Sequence, residues 1–160
     1  MRRKQVLSLA VIALLAVTLM ATTACKSSGM AVTSRGQVLK LNIAHPDDLP
    51  ESGVDNLDIT ISNMGVNNIQ NVLLEVEVPP QLVVLDQTND EGINVLHSAG
   101  SNTYRFTFGN IQPAERSQIR FRVRTAFGTM RETADIKATA WQEGLPGDKL
   151  IETALIKLRN

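Results

Sequence analysis

Ile119-Arg120-Phe121-Arg122-Val123-Arg124 decides the fold of this chain. Apolar and charged residues alternate without a break. Successive side chains of a strand point to opposite faces, so a period of two marks a strand with one face buried and the other in water. The same period recurs on both sides. Upstream, Val38, Leu39, Leu41 and Ile43 suggest a strand that stops at His45-Pro46-Asp47-Asp48-Leu49-Pro50, a loop rich in breakers. Leu57, Ile59 and Ile61 alternate with Asp58, Thr60 and Ser62, and Asn63-Met64-Gly65 turns the chain. Val72, Leu74, Val76 and Val78 form the next inward set, ended by Pro79-Pro80, which cannot donate to a ladder.

Further short runs follow. Leu82 to Leu85 is apolar, Thr88 to Gly92 is a turn cluster, and Ile93, Val95 and His97 alternate weakly. Tyr104, Phe106 and Phe108 give a strand closed by Gly109 to Pro113. Downstream, Ala134, Ile136, Ala138 and Ala140 alternate with Asp135, Lys137 and Thr139, and Leu150 to Leu158 gives a last strand. Trp141 breaks that register and is expected exposed or at a bulge. No window holds helical spacing over three turns. Seven to nine short strands in about 120 residues predict an all-β antiparallel sandwich. All six aromatic residues lie between Tyr104 and Trp141, so the C-terminal half is expected to supply the bulky part of the core.

The N-terminus reads differently. Met1-Arg2-Arg3-Lys4 precedes an apolar run from Val6 to Met20, then Ala21-Thr22-Thr23-Ala24-Cys25. A cationic start, an apolar stretch and a small-residue junction form a secretory leader, expected to be a helix over residues 1–24. Three readings fit: an ordinary leader cleaved after Ala24, an uncleaved membrane-spanning anchor of about 20 residues, and a lipoprotein leader. The junction resembles the lipobox of bacterial lipoproteins, with Thr22 where Leu is usual. The resemblance implies cleavage between Ala24 and Cys25 and a diacylglyceryl thioether on Cys25. With Lys26 and Ser27 next, and no Asp at the position associated with inner-membrane retention, it also implies outer-membrane sorting in a cell with two membranes. Two or more acyl chains hold a small domain stably, whereas one binds marginally. Residues 25–36 read as the lipidated N-terminus and a flexible tether. A coil over residues 26–36 spans about 20 Å.

Composition narrows the function classes. The chain carries 16 basic and 16 acidic residues, and losing Arg2, Arg3 and Lys4 with the leader leaves an acidic remainder. That is no nucleic-acid signature. Cys25 is the single cysteine, so the domain is expected to stand without disulfides and without thiolate-bound zinc.

Three segments carry a family resemblance. They are Leu57-Asp-Ile-Thr-Ile-Ser-Asn-Met-Gly65, then Asn71-Val-Leu-Leu-Glu-Val-Glu-Val-Pro-Pro80, and Phe106-Thr-Phe-Gly-Asn-Ile-Gln-Pro-Ala-Glu-Arg116 followed by the strand Ser117 to Thr125. Together they resemble the immunoglobulin-like domain of unknown function eleven, kin to bacterial adhesion-related sandwiches, over roughly residues 37–158, within a sandwich domain expected over residues 37–160. The resemblance implies an envelope or surface sandwich without catalytic residues. Gln81 and Ala114 stand where that family often has Gly, which bears on the turns there.

Candidate sites are few. Arg120, Arg122 and Arg124 share one strand face, with Arg116, Arg105 and Arg131 near in sequence. The functional reading of this ridge is binding to anionic headgroups, lipopolysaccharide or acidic glycans. The competing reading is a charged outer face, balanced by cross-strand acids such as Asp135 and Glu132, that discourages edge pairing. His45 with Asp47 and Asp48, and Asp86 with Asn89, Asp90 and Glu91, read as solvated turns, not metal loops. No metal, cofactor or catalytic residue is expected. The chain reads as a lipid-anchored, non-catalytic interaction or structural module of the bacterial envelope, held to the membrane through Cys25 and binding an envelope protein or glycan. The rival is a ligand carrier or accessory subunit of an envelope export or assembly machine, which would need inward polar residues around a pocket.

Overall fold

The computed structural model describes residues 25–32, 38–128, 132–145 and 147–159. Eleven strands form among them: β1 (Cys25–Val32), β2 (Val38–His45), β3 (Asp48–Pro50), β4 (Val54–Asn63), β5 (Ile69–Glu77), β6 (Leu82–Asn89), β7 (Asn94–His97), β8 (Thr103–Ile111), β9 (Arg116–Thr125), β10 (Thr133–Gln142) and β11 (Leu150–Arg159). They build a five-stranded sheet ordered β1-β2-β4-β9-β6 and a six-stranded sheet ordered β3-β11-β10-β5-β8-β7. All neighbours are antiparallel except β3 and β11. The expected leader helix over residues 1–24 lies outside the described residues.

Every alternating run of the sequence became a strand, and two strands were added. The first replaces the expected tether over residues 25–32, while its remaining residues 33–36 lie outside the described residues. Residues 25–32 pair with β2 along their whole length, from Cys25 opposite His45 to Val32 opposite Val38. Gly29 permits this, because a Cβ there would meet the carboxylate of Glu152 and the side chain of Leu150 on β11. The composition that reads as a linker is therefore a close approach of β1 to the opposite sheet. The second addition is β3, inside the loop of breakers. Its three residues run parallel to Lys157–Arg159 and are held by the Arg159–Asp48 ion pair and by Thr125 Oγ1 donating to Pro50 O at 3.0 Å. Pro50 is tolerated there because the strand is an edge.

The inward faces pack as the period predicts. Leu41, Ile43, Leu57, Ile59 and Ile61 from one sheet, and Leu74, Val76, Ile136 and Ile156 from the other, are fully buried. Phe121 on β9 meets Phe106 and Tyr104 on β8 edge-on, at 5.9 and 5.0 Å between ring centroids. Such cross-sheet aromatic contacts contribute roughly 0.5–1.5 kcal/mol beyond area burial. The aromatic half does not monopolise the core, however: Phe127 points into solvent and aliphatic residues of both halves fill the rest. Trp141 sits in register opposite Leu73, half-buried beneath the Lys149 ammonium, so the expected bulge is absent. The phase change lies instead in β5 and β8. Ile69 and Val72 are both buried with two exposed residues between them, as are Phe108 and Ile111. Asn71 adopts φ 50° at this point, and both strands turn over together.

One end is closed by a single side chain. Asn63 is 0% exposed. Its Nδ2 donates to Asn67 O at 2.7 Å and to Ile111 O at 2.9 Å, and its Oδ1 accepts from Gly65 N at 2.9 Å. Its backbone carbonyl accepts from Ala114 N at 2.9 Å. Ala114 takes φ 63°, the left-handed conformation the family resemblance associates with Gly. Gln81, the other departure, is not among the left-handed residues and needs no Gly.

Two stability measurements follow from this end. Asn63→Ala leaves the buried Ile111 carbonyl without its partner, removes the part-buried bonds to Asn67 O and Gly65 N, and should cost about 2–4 kcal/mol in urea unfolding. Ala114→Gly should raise stability by about 0.5–1 kcal/mol, because it relieves a Cβ penalty partly offset by a more flexible unfolded chain.

Candidate functional site

β9 is the middle of a charged surface. Ile119, Phe121 and Val123 are buried, so Arg120, Arg122 and Arg124 stand on the outer face, as the alternation requires. What flanks each of them depends on strand order. Arg120 lies between Asp58 on β4 and Thr88 on β6. Its Nε and Nη2 donate to the two Asp58 oxygens at 2.6 and 3.0 Å, a bidentate pair. Hydrogen bonding and the charge of Asp58 push the guanidinium pKa further up from its ordinary value. Arg122 lies between Asn56 and Asp86, and Arg124 between Val54 and Val83. Arg116 donates to Thr60 Oγ1 at 3.4 Å.

The ridge is thus graded along its length. Its Arg120 end is neutralised in place, and its Arg124 end is a cation between two apolar neighbours. The acids directly opposite these arginines across the ladders are Asp58 and Asp86. Asp135 sits on β10 in the other sheet and does not balance the ridge. Arg105 is likewise on the other sheet, where it pairs with Glu75 at 2.7 Å, next to Lys137 paired with Glu77 at 2.7 Å. Arg131 lies outside the described residues.

The remaining sequence candidates separate. His45 is buried at the end of β2 with Nδ1 2.8 Å from Pro46 O, while His97 lies on β7 stacked over Tyr104 at 3.9 Å. Asp48 is taken by Arg159. Asp90 Oδ2 accepts from Gln118 N at 2.6 Å, and Asn89 Nδ2 donates to Ile93 O at 3.2 Å, so this hairpin tip braces its own backbone. Among the described residues no three His, Cys, Asp or Glu side chains are grouped to hold a metal.

Two open clefts were not foreseen, since each also needs a strand from outside its own hairpin. One, of about 480 Å³, is lined by Glu75, Leu96, His97, Ser101, Thr103 and Arg105. The other, of about 630 Å³, is lined by residues including Pro79, Pro80, Lys137, Thr153 and Leu155. Exposed Phe127 also escaped notice, because it follows the last inward residue of β9 and belongs to no alternating run.

The graded ridge separates two kinds of variant. Arg122→Glu with Arg124→Glu should lower retention on phosphatidylglycerol vesicles at low salt by roughly tenfold. Arg120→Glu should instead lower the urea midpoint, since it sets a second carboxylate opposite Asp58. Unchanged retention of the double variant would leave the ridge without a binding role.

No protein-family model matches the chain, and no curated protein matches it. Solved structures do resemble it. A domain in the RrgA Jo.In complex superposes with TM-score 0.58 at 13% identity, covering 82% of this chain and 82% of that one. The third cohesin ScaC of Acetivibrio cellulolyticus, solved with the ScaB dockerin, gives TM-score 0.52 at 12% identity, covering 71% of this chain and 97% of the cohesin. The solution structure of CaCohA2 from Clostridium acetobutylicum gives 0.51 at 10% identity over 76% and 90%. At such identities the likeness is one of fold, and the fold is an immunoglobulin-like β-sandwich.

Proposed function

We propose that this chain is a lipid-anchored, non-catalytic module of the bacterial cell envelope that binds a partner on its outer surface. The observation that carries the reading is the run Ala21-Thr22-Thr23-Ala24-Cys25 behind a cationic and apolar leader, followed at once by the sandwich. Acylation of Cys25 would supply the location, on the outer membrane where the cell has two. Two acyl chains at about 0.8 kcal/mol per buried methylene suffice for a stable anchor. Because β1 starts at Cys25, the anchor is joined directly to the sheet, and the domain is held closer to the membrane than a coil would hold it.

The packing supports binding on the outside. The space between the sheets is filled by Phe106, Phe121 and the aliphatic residues around them. A carrier would need that space, so the accessory-subunit reading draws no support from the interior. The ridge and the two clefts are all external. The fold-level likeness to a cohesin solved in complex with a dockerin makes a protein the favoured class of partner.

Metabolic labelling with an alkyne fatty acid tests the anchor. Wild-type protein should carry label and sediment with membranes, and Cys25→Ser should lose the label and enter the soluble fraction. Equal labelling of the two would sink the reading.

A further inference from the structure

The antiparallel sheet gathers one set of strand ends around Cys25. β1 begins at Cys25 beside the last residue of β2, His45. β4 starts at Val54 and β9 ends at Thr125 at this same end, and β6 starts here at Leu82. Asp58 pairs with Ala44 and Val54 with Arg124. The Val54 row therefore lies about three residues, or roughly 10 Å, beyond Cys25 along the sheet. Past it comes the turn after β9, where Phe127 is 94% exposed. Val54 and Val83 are exposed at 44% and 37% on the two sides of Arg124.

This geometry constrains how an acylated chain can sit. No linker separates Cys25 from the sheet, so acyl chains on it can enter a bilayer only if that strand end approaches the headgroups. The rows that project beyond Cys25 then arrive at the headgroups too. What they present suits that layer: an aromatic ring, two aliphatic side chains and a guanidinium able to bond a lipid phosphate. Glu51, Asp55 and Asp47 stand at the same end, and Asp48 is held by Arg159, so the arginines of β9 do not carry the contact alone and apolar insertion adds to it.

We propose that this end of the sandwich is a membrane-contact surface, with Phe127 inserted at headgroup depth and Arg124 bonded to lipid phosphate. It rests on the acylation of Cys25. It also fixes the orientation of the domain, with the opposite end, carrying exposed Met64 and Val66, turned away from the bilayer.

The test uses the acylated full chain in vesicles of phosphatidylethanolamine and phosphatidylglycerol. Phe127→Trp is introduced on a Trp141→Phe background, so that one indole reports. Its emission should shift to the blue on vesicles and be quenched by lipids brominated near the headgroup, severalfold more than in the unacylated Cys25→Ser protein in solution. In the otherwise unchanged acylated chain, Phe127→Ser should speed transfer between vesicles severalfold. An unshifted indole on protein that floats with vesicles, or a transfer rate unaltered by Phe127→Ser, would overturn the proposal. A shift seen in native envelopes and not on pure lipid would overturn it as well and assign this end to a protein. If the parent chain neither floats nor carries label, the anchor reading itself has failed, and this one falls with it.

Discussion

A buried carboxamide ties the two sheets together at one end of the sandwich. Apolar packing drives the sheets together but has no direction, so it does not by itself fix how one sits upon the other. Asn63 does. Placed on β4, it bonds Ile111 O at the end of β8 in the opposite sheet, and in the same stroke shapes the 64–67 loop through Gly65 N and Asn67 O. At the other end the counterpart is Thr125 Oγ1 on β9, which donates to Pro50 O on β3. Each end thus has a directional bond between the sheets, in a core whose apolar contacts by themselves tolerate sliding. A buried donor or acceptor left without its partner costs about 1–3 kcal/mol, which makes a displaced arrangement of the sheets unfavourable.

The sheet faces follow a plain division. Inward positions are nearly all apolar, and outward positions carry the four ion pairs found among the described residues. Three of these join neighbouring strands directly across a ladder, as Arg120 with Asp58, Arg105 with Glu75 and Lys137 with Glu77. Exposed pairs of this kind contribute little stability, because water screens them and two side chains must be held in place. Their effect is on register, because a slip of one residue would carry each charge to the core face. The edges are guarded in other ways. β3 and β7 are short, and β6 carries an irregularity between Val84 and Asp86 that bends it away from regular pairing.

The sandwich was legible because a period of two needs only local sequence. Runs such as Leu57 to Ile61 and Ile119 to Val123 declare their buried faces without reference to any partner. β1 and β3 were not legible for the opposite reason. Lys26-Ser27-Ser28-Gly29 has no alternation, and the need for Gly29 becomes visible only once Glu152 is placed against it. β3 depends on Arg159 and Thr125, both distant in sequence. The arginine ridge shows the same boundary within one feature. Its shared face followed from alternation, while the identity of the balancing acid, Asp58 and not Asp135, waited on strand order. Phe127 fits no periodicity at all, since its exposure comes from where the chain leaves β9.

The pairing of β1 with β2 has a mechanical side. Ladder hydrogen bonds run perpendicular to the strands. A pull on Cys25 along the strand axis, away from the domain, would therefore shear all eight Cα pairs from Cys25–His45 to Val32–Val38 together. Pulled sideways, the same strand would open one bond after another from its first residue. A domain tethered through Cys25, as proposed above, and tugged from its far end would meet the first, stiffer mode, so the eight-pair ladder would couple that tether stiffly to the rest of the sheet.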